Sequence, residues 1–181
     1  MKIHNKNHRR SHWLKKPILS QQYRCWLIDN GSLTKRLQQK YVNFSVKKIS
    51  LYYAKPLPDE ASLLALKPHQ QALIREVLLM GNNQSAVFAH SVLPRTALRG
   101  AWNKLGRLGN KPLGAALFAN PKVRRTPLAY KKLSRNHPLF RRAAKHISQK
   151  PTFLWARRSI FSLNYANILV TEVFLPQILQ K

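Results

Sequence analysis

Apolar residues cluster in two pairs of runs, each pair divided by turn-forming residues. Ala72–Met80 and Ala86–Leu93 are nearly continuous apolar segments separated by Gly81-Asn82-Asn83-Gln84-Ser85. That pattern predicts an antiparallel hairpin, ended at Pro94 because proline cannot donate to a strand ladder. Arg158–Tyr165 alternates, with Phe161, Leu163 and Tyr165 on one face, and Ile168–Leu175 follows an Ala166-Asn167 turn. The pair predicts a second hairpin. Residues 42–53 alternate imperfectly and read as one more strand. Helices are expected over 18–30, with Ser20 as N-cap and Gly31 beyond the end, over Ala97–Leu105 between Thr96 and Gly106, and over Leu113–Phe118. Pro56, Pro58 and Pro68 make 54–68 mostly loop around a short helix at Glu60–Leu66, and 121–150 reads as two basic helices split by Pro138. Hairpins with helices inserted between them predict a single α+β domain over 18–181, an antiparallel β-sheet covered by helices on one face.

Charged residues break the apolar strands in two places. Glu172 shares a strand face with Val170 and Phe174, while Thr171 and Val173 point the other way. A carboxylate there is costly to bury without a partner. It is explained by an edge strand facing water, by an ion pair with one of the many arginines, or by a functional site. Arg75 and Glu76 interrupt Leu73–Leu79 on opposite faces, so at least one of them meets an apolar layer. Arginine suits a carboxylate ligand because its planar fork donates two parallel hydrogen bonds. A structural ion pair accounts for the pattern equally well.

Composition then narrows the partners. The chain of 181 residues has 33 Lys and Arg against 5 Asp and Glu, a formal net charge of +28. Such a surface attracts anions, so an anionic substrate or partner is expected. Cys25 is the single cysteine, which excludes an intramolecular disulfide and fits a reducing compartment. Its apolar neighbours Tyr23, Trp26 and Leu27 make it a packing residue. Residues 1–17 read as a basic, disordered tail without the apolar core of a secretory signal. His4, His8 and His12 recur at helical spacing, but nothing apolar would support a metal-binding helix there. No apolar run is long enough to span a bilayer, so a cytoplasmic protein is expected. Phosphate-loop, GxGxxG, CxxC and HExxH motifs are absent.

Several stretches, taken in order, resemble the chorismate lyases. They are Ser32–Leu37, Leu73–Leu79, Val92-Leu93-Pro94, Leu108–Gly114 with Leu117-Phe118, Leu154–Ser159 and Thr171–Pro176. The resemblance implies a chorismate lyase-like fold with an enclosed ligand pocket under helical flaps. It also implies an enzyme that eliminates pyruvate from chorismate to give 4-hydroxybenzoate, the first committed step of ubiquinone biosynthesis. The family's site residues fall here on Arg75, which binds the ring carboxylate, and Glu172, at the hydroxyl end of the ring. Backbone groups at Leu33 and Leu113 complete the site. A second family arginine is replaced, with His90 nearest; Arg95, Arg157 and Arg158 are the candidates to stand in for it. Residues 135–150 look like a basic insertion.

The reaction makes an aromatic ring, so the enzyme needs mainly to orient substrate and stabilise departing charge, with no metal or redox cofactor. Glu172 serves as general base or only holds the hydroxyl. A monomer is expected, with weak nonspecific association with nucleic acid or anionic membrane through the basic surface. Two other classes share some of these features. A nucleic-acid-binding protein accounts for the charge, but aromatic residues do not interleave with the basic runs. A non-catalytic sensor of small aromatic acids fits the same fold, but residues 1–20 are too short for a winged-helix segment.

Overall fold

The computed structural model describes residues 12–180. Its strands are β1 (Phe44–Ala54), β2 (Ala72–Gly81), β3 (Gln84–Pro94), β4 (Arg124–Arg125), β5 (Ala129–Ser134), β6 (Phe153–Leu163) and β7 (Ala166–Phe174). They form one sheet in the order β1-β2-β3-β7-β6-β4, with β5 also paired to β6, and every pairing is antiparallel. The helices are short: α1 (Arg24–Leu27), α2 (Leu33–Lys40), α3 (Pro58–Leu63), α4 (Arg95–Arg99), α5 (Leu113–Ala119) and α6 (Pro138–Ala143). The expected single α+β domain with an antiparallel sheet forms, but helices cover both of its faces rather than one, because the central strands are apolar on both sides.

The central strands are buried on both faces, which is why β2 and β3 read as continuous apolar runs. One face presents Leu73, Val77, Leu79, Val87, Leu93, Trp155 and Phe174 to Trp26, Leu27, Leu33, Leu37, Ala97, Leu113 and Leu117 of α1, α2, α4 and α5. The opposite face packs Leu78, Phe88, Leu154 and Val173 against Leu139, Phe140 and Ala143 of α6. Residues 135–150, expected as an insertion, thus supply part of this second core layer.

Turns and boundaries differ from the sequence expectation in instructive ways. The first hairpin closes through Asn82 and Asn83 alone, at φ of 48° and 63°, a left-handed conformation that asparagine tolerates. Gly81 is required beside it, because a Cβ there would lie 2.3 Å from the Tyr41 ring. The second hairpin turns at Asn164-Tyr165, not at Ala166-Asn167, which already belong to β7. Ser20 does not cap a helix; its hydroxyl donates back to the Pro17 carbonyl at 2.9 Å. Thr96 lies inside α4, which stops at Arg99. The first of the two helices expected in 121–150 is instead β4 and β5, where pairing with β6 overrides helix propensity. Helix α2, not expected, starts at Ser32, whose hydroxyl accepts from the Lys35 N–H at 3.4 Å. The tail expected through Pro17 includes docked residues: Leu14 bridges Tyr130, and Trp13 Nε1 donates to Asp59 at 3.0 Å. His4 and His8 lie outside the described residues. Cys25 is exposed rather than packed.

A polar cluster ties α3 and α6 to the face of the sheet opposite Arg75. His90 is 1% exposed, with Nδ1 3.0 Å from Glu76 Oε1 and Nε2 3.3 Å from Glu60 Oε1. The Glu60 approach is an ion-pair contact rather than an aligned hydrogen bond. Arg142 of α6 donates to Glu76 at 2.9 Å, Ser50 of β1 donates to it at 2.8 Å, and Glu60 Oε2 accepts the Leu57 N–H that opens α3. Burial would push the Glu76 carboxyl up, but the bonds from His90 and Ser50 and the charges of His90 and Arg142 outweigh it and hold it at about 2. Burial would pull His90 down, yet its two carboxylate neighbours raise it above its ordinary value. His137, desolvated and beside Lys131, sits at about 4.

The pH dependence of stability follows from these directions. Glu76 stabilises the fold above its ordinary 4.5, and that contribution is lost as pH falls toward 2. His137 costs stability as pH falls from 6.5 through 4. His90 stabilises fully below its ordinary 6.5, and the contribution is lost as pH rises through its raised value. Urea midpoints should therefore peak near pH 6.5 and fall on both sides. His90→Gln should remove the alkaline decline attributable to this residue; an alkaline limb identical to that of the unaltered protein would refute its assignment to His90.

Candidate active site

Strand register sets the site in two rows. Across β2, β3, β7 and β6 the first row is Arg75, Ser91, Val170 and Ser159, and the second is Val77, Ala89, Glu172 and Arg157. Strands lie about 4.8 Å apart and residues rise about 3.3 Å each, which puts the Arg75 and Glu172 Cα atoms roughly 11–12 Å apart on the same face. That leaves space for a ring between the two side chains. A cavity opens over these rows, with about 490 Å³ of space between its lining atoms when the open solvent at its mouth is included. Its wall includes Arg75, Glu172, Leu33, Leu113, Arg125 and Phe161.

The helix starts close over the cavity. Leu33 and Leu113 are the first residues of α2 and α5, and both line it. First-turn backbone N–H groups have no partner within a helix, so such positions can serve a ligand. The two helices approach at Gly114, where a Cβ would lie 3.1 Å from Thr34 Oγ1. A larger residue there would wedge the two flaps apart.

Arg75 is 3% exposed and its Nη2 donates to the carbonyls of Lys111 and Gly109, at 2.8 and 3.1 Å. These bonds hold the loop that leads into α5. Burial pulls the guanidinium below its ordinary value, though arginine remains cationic in proteins. No carboxylate pairs with it among the described residues, and the reason is general. All five acids of the chain are engaged elsewhere: Asp29 with Arg36, Asp59 with Arg158, Glu60 with His90, Glu76 with His90 and Arg142, and Glu172 with Arg157. The Arg75 charge on the cavity wall is thus without a counter-charge.

Glu172 is held firmly. Its Oε2 accepts from Arg157 Nε at 2.5 Å. Arg157 is fully buried and also donates through Nη1 to the carbonyls of Trp26 and Asp29, at 2.8 and 2.6 Å, so the segment after α1 is tied to the same carboxylate. Glu172 Oε1 makes no hydrogen bond among the described residues.

All four residues singled out from the sequence, Leu33, Arg75, Leu113 and Glu172, meet at this cavity. The residues considered as stand-ins for a second anion contact do not serve. His90 and Arg158 are on the opposite face, bound to Glu76 and Asp59. Arg95 lies over the Tyr53 ring at 4.4 Å, and Arg157 is committed to Glu172. The second arginine of the cavity is Arg125, which sequence reading missed because it lies among many surface cations in 121–150. The signal available was Arg124-Arg125 followed by Thr126-Pro127, a short extended piece that docks on β6.

Comparison with known proteins bears on the family and the fold. The family model described as chorismate lyase matches residues 7–181. The protein named "probable chorismate pyruvate-lyase" of Methylobacillus flagellatus is 47% identical over 171 residues, covering 94% of this chain and 96% of that one. Its namesake from Nitrosomonas europaea is 50% identical over 153 residues, covering 84% and 86%. Among solved structures, the effector domain of PhnF from Mycobacterium smegmatis superposes with a TM-score of 0.55 at 13% identity, covering 81% of this chain and 90% of that one. The C-terminal domain of the histidine utilization repressor from Pseudomonas syringae gives 0.55 at 8% identity, covering 75% and 93%. At these identities the structural likeness speaks for the fold alone.

Proposed function

The chain belongs to the chorismate lyase family, and we propose that its cavity is where chorismate is split into 4-hydroxybenzoate and pyruvate. The protein is a carbon–oxygen lyase, and in this family the reaction opens ubiquinone biosynthesis. The observation that carries the site assignment is Arg75, a buried cation on the cavity wall with no carboxylate partner among the described residues. A small carboxylic acid completes its fork, and desolvation makes that contact strong. No helix among the described residues is long and apolar enough to cross a membrane, and the proposed place of the reaction is the cytoplasm.

Chorismate has a ring carboxylate, a hydroxyl at the para carbon, and an enolpyruvyl ether beside that hydroxyl. The ring carboxylate sits on Arg75, the ring spans the apolar floor of Val77, Ala89 and Val170, and the hydroxyl reaches Glu172. Backbone groups at Leu33 and Leu113 close over the ring. With Oε2 taken by Arg157, Glu172 has one oxygen left for substrate. That oxygen cannot both accept the hydroxyl hydrogen bond and be aimed at the hydrogen on the same carbon. We therefore assign Glu172 as a hydroxyl anchor rather than the base.

Three outcomes are expected. Purified protein given chorismate should release 4-hydroxybenzoate and pyruvate in equal amounts, and the rate should survive EDTA; recovery of unchanged chorismate would sink the proposed reaction. Arg75→Ala should weaken 4-hydroxybenzoate binding by roughly 2–5 kcal/mol, with Arg75→Lys recovering only part because it lacks the fork. Equal binding by all three proteins in calorimetry would return Arg75 to a purely structural role. Glu172→Gln, compared at equal folded fraction because Arg157 loses its counter-charge, should keep kcat within about tenfold, whereas Glu172→Ala loses substrate binding. A kcat loss of roughly 10²–10⁴-fold for the Gln variant would instead mark Glu172 as the base.

A further inference from the structure

We infer that Arg125 holds the enolpyruvyl carboxylate of the substrate and is the specificity-determining residue that separates chorismate from its aromatic product. This rests on the chorismate reading of the cavity and extends it to the part of the substrate that leaves.

The order of charged groups across the sheet carries the inference. Strand order places Arg75 on β2, Glu172 on β7 and Arg125 on β4, with Glu172 between the two arginines. Chorismate arranges its groups in the same sequence: ring carboxylate, then the para hydroxyl, then the enolpyruvyl carboxylate hanging from the carbon next to that hydroxyl. Arg125 lines the cavity and is coupled electrostatically to Glu172. Its Nε donates to Ser159 Oγ at 2.8 Å and its Nη1 to the Asn30 carbonyl at 2.9 Å. Its guanidinium carbon lies 5.1 and 5.6 Å from the centres of the Phe161 and Phe118 rings. Neutral acceptors and ring faces thus fix the fork, and the chain's five acids are all engaged elsewhere. With Glu172 offset by Arg157, the cavity wall keeps two positive charges, Arg75 and Arg125. The substrate brings two carboxylates, and 4-hydroxybenzoate brings one.

The chemistry assigns Arg125 a growing role along the reaction. The ether bond to the ring carbon breaks, and its electron pair departs on oxygen as the enolate of pyruvate. The C–H bond at the hydroxyl-bearing carbon supplies the pair that completes the aromatic ring. Its proton balances the one gained by the methylene carbon as enolpyruvate becomes pyruvate. Negative charge therefore develops on the fragment beside Arg125, whose attraction strengthens toward the transition state. Arg75, at the far end of the ring, holds the same carboxylate in substrate and product.

The test compares ligands on one set of proteins. Arg125→Gln should lower kcat/KM for chorismate by at least ~30-fold, while the Kd for 4-hydroxybenzoate measured by calorimetry changes by no more than about threefold. Arg125→Lys, which retains the charge, should recover part of the chorismate activity. Equal losses for chorismate and 4-hydroxybenzoate would make Arg125 a scaffold for the cavity and overturn the inference, as would an unchanged kcat/KM in the Gln variant. Inactivity of the unaltered protein on chorismate would remove the underlying reading itself, and so is distinct from either result.

Discussion

A guanidinium taken out of water must find acceptors, and the way each buried arginine finds them organises this molecule. Arg157 collects Glu172 and the carbonyls of Trp26 and Asp29, tying the segment after α1 to the sheet. Arg158, on the other face, bonds Asp59 at 2.7 Å beneath the Trp13 ring and brings α3 and the N-terminal segment together. Arg142 anchors α6 through Glu76, and Arg75 anchors the loop before α5 through two carbonyls. Each tie joins a short helix or loop to a strand. Helices of four to eight residues are too short to be stable alone, so the ties and the apolar layers place them.

Scarcity of acids turns this scaffold into a site. A chain with 33 basic and 5 acidic residues cannot neutralise its arginines internally. The five carboxylates go to positions where a salt link joins elements, and Arg75 and Arg125 are left with neutral oxygens. A backbone carbonyl satisfies an N–H but brings no full negative charge, so both groups keep their affinity for an anion. The positive surface that attracts anions from a distance and the cavity that orders them thus come from one imbalance. Removing the partner of a buried charge is costly, which is why Glu172 cannot be altered without regard to Arg157.

How much of this was legible depended on the range of the interaction. Apolar runs flanking turn residues exposed the first central hairpin and period-two alternation the second, and both exposed Arg75 and Glu172, since a charge on an apolar strand face is visible within a few residues. The local pattern could not say which of Arg75 and Glu76 faced the cavity; that depends on cover from distant helices, with Glu76 satisfied by Arg142, 66 positions away. The resemblance to the chorismate lyases supplied Leu33 and Leu113, whose proposed contribution through the backbone would leave no side-chain pattern. Arg125 was hidden because its neighbours are also cations, and because β4 is two residues long and exists only by pairing with β6. Helix α2 escaped notice since Ser32 alone marked its start.

On the proposed reading, the placement of Arg75 and Arg125 on either side of Glu172 in strand order also divides binding from catalysis. On that reading Arg75 meets a carboxylate that does not change during the reaction, so its energy would be spent equally on substrate, transition state and product and would not by itself raise kcat. Glu172, fixed by Arg157, would orient the hydroxyl-bearing carbon without meeting the negative charge that develops on the leaving fragment. A cation near the ether oxygen would favour the transition state over the ground state electrostatically, and among the described cavity residues Arg125 is the cation beyond Glu172 in strand order. Its fork is held by Ser159 and Asn30 before substrate arrives, so little reorganisation accompanies the charge shift. The buried Phe161 ring beside Arg125 suits the same proposed role, because a charge is worth most against a developing enolate where water is kept from screening it.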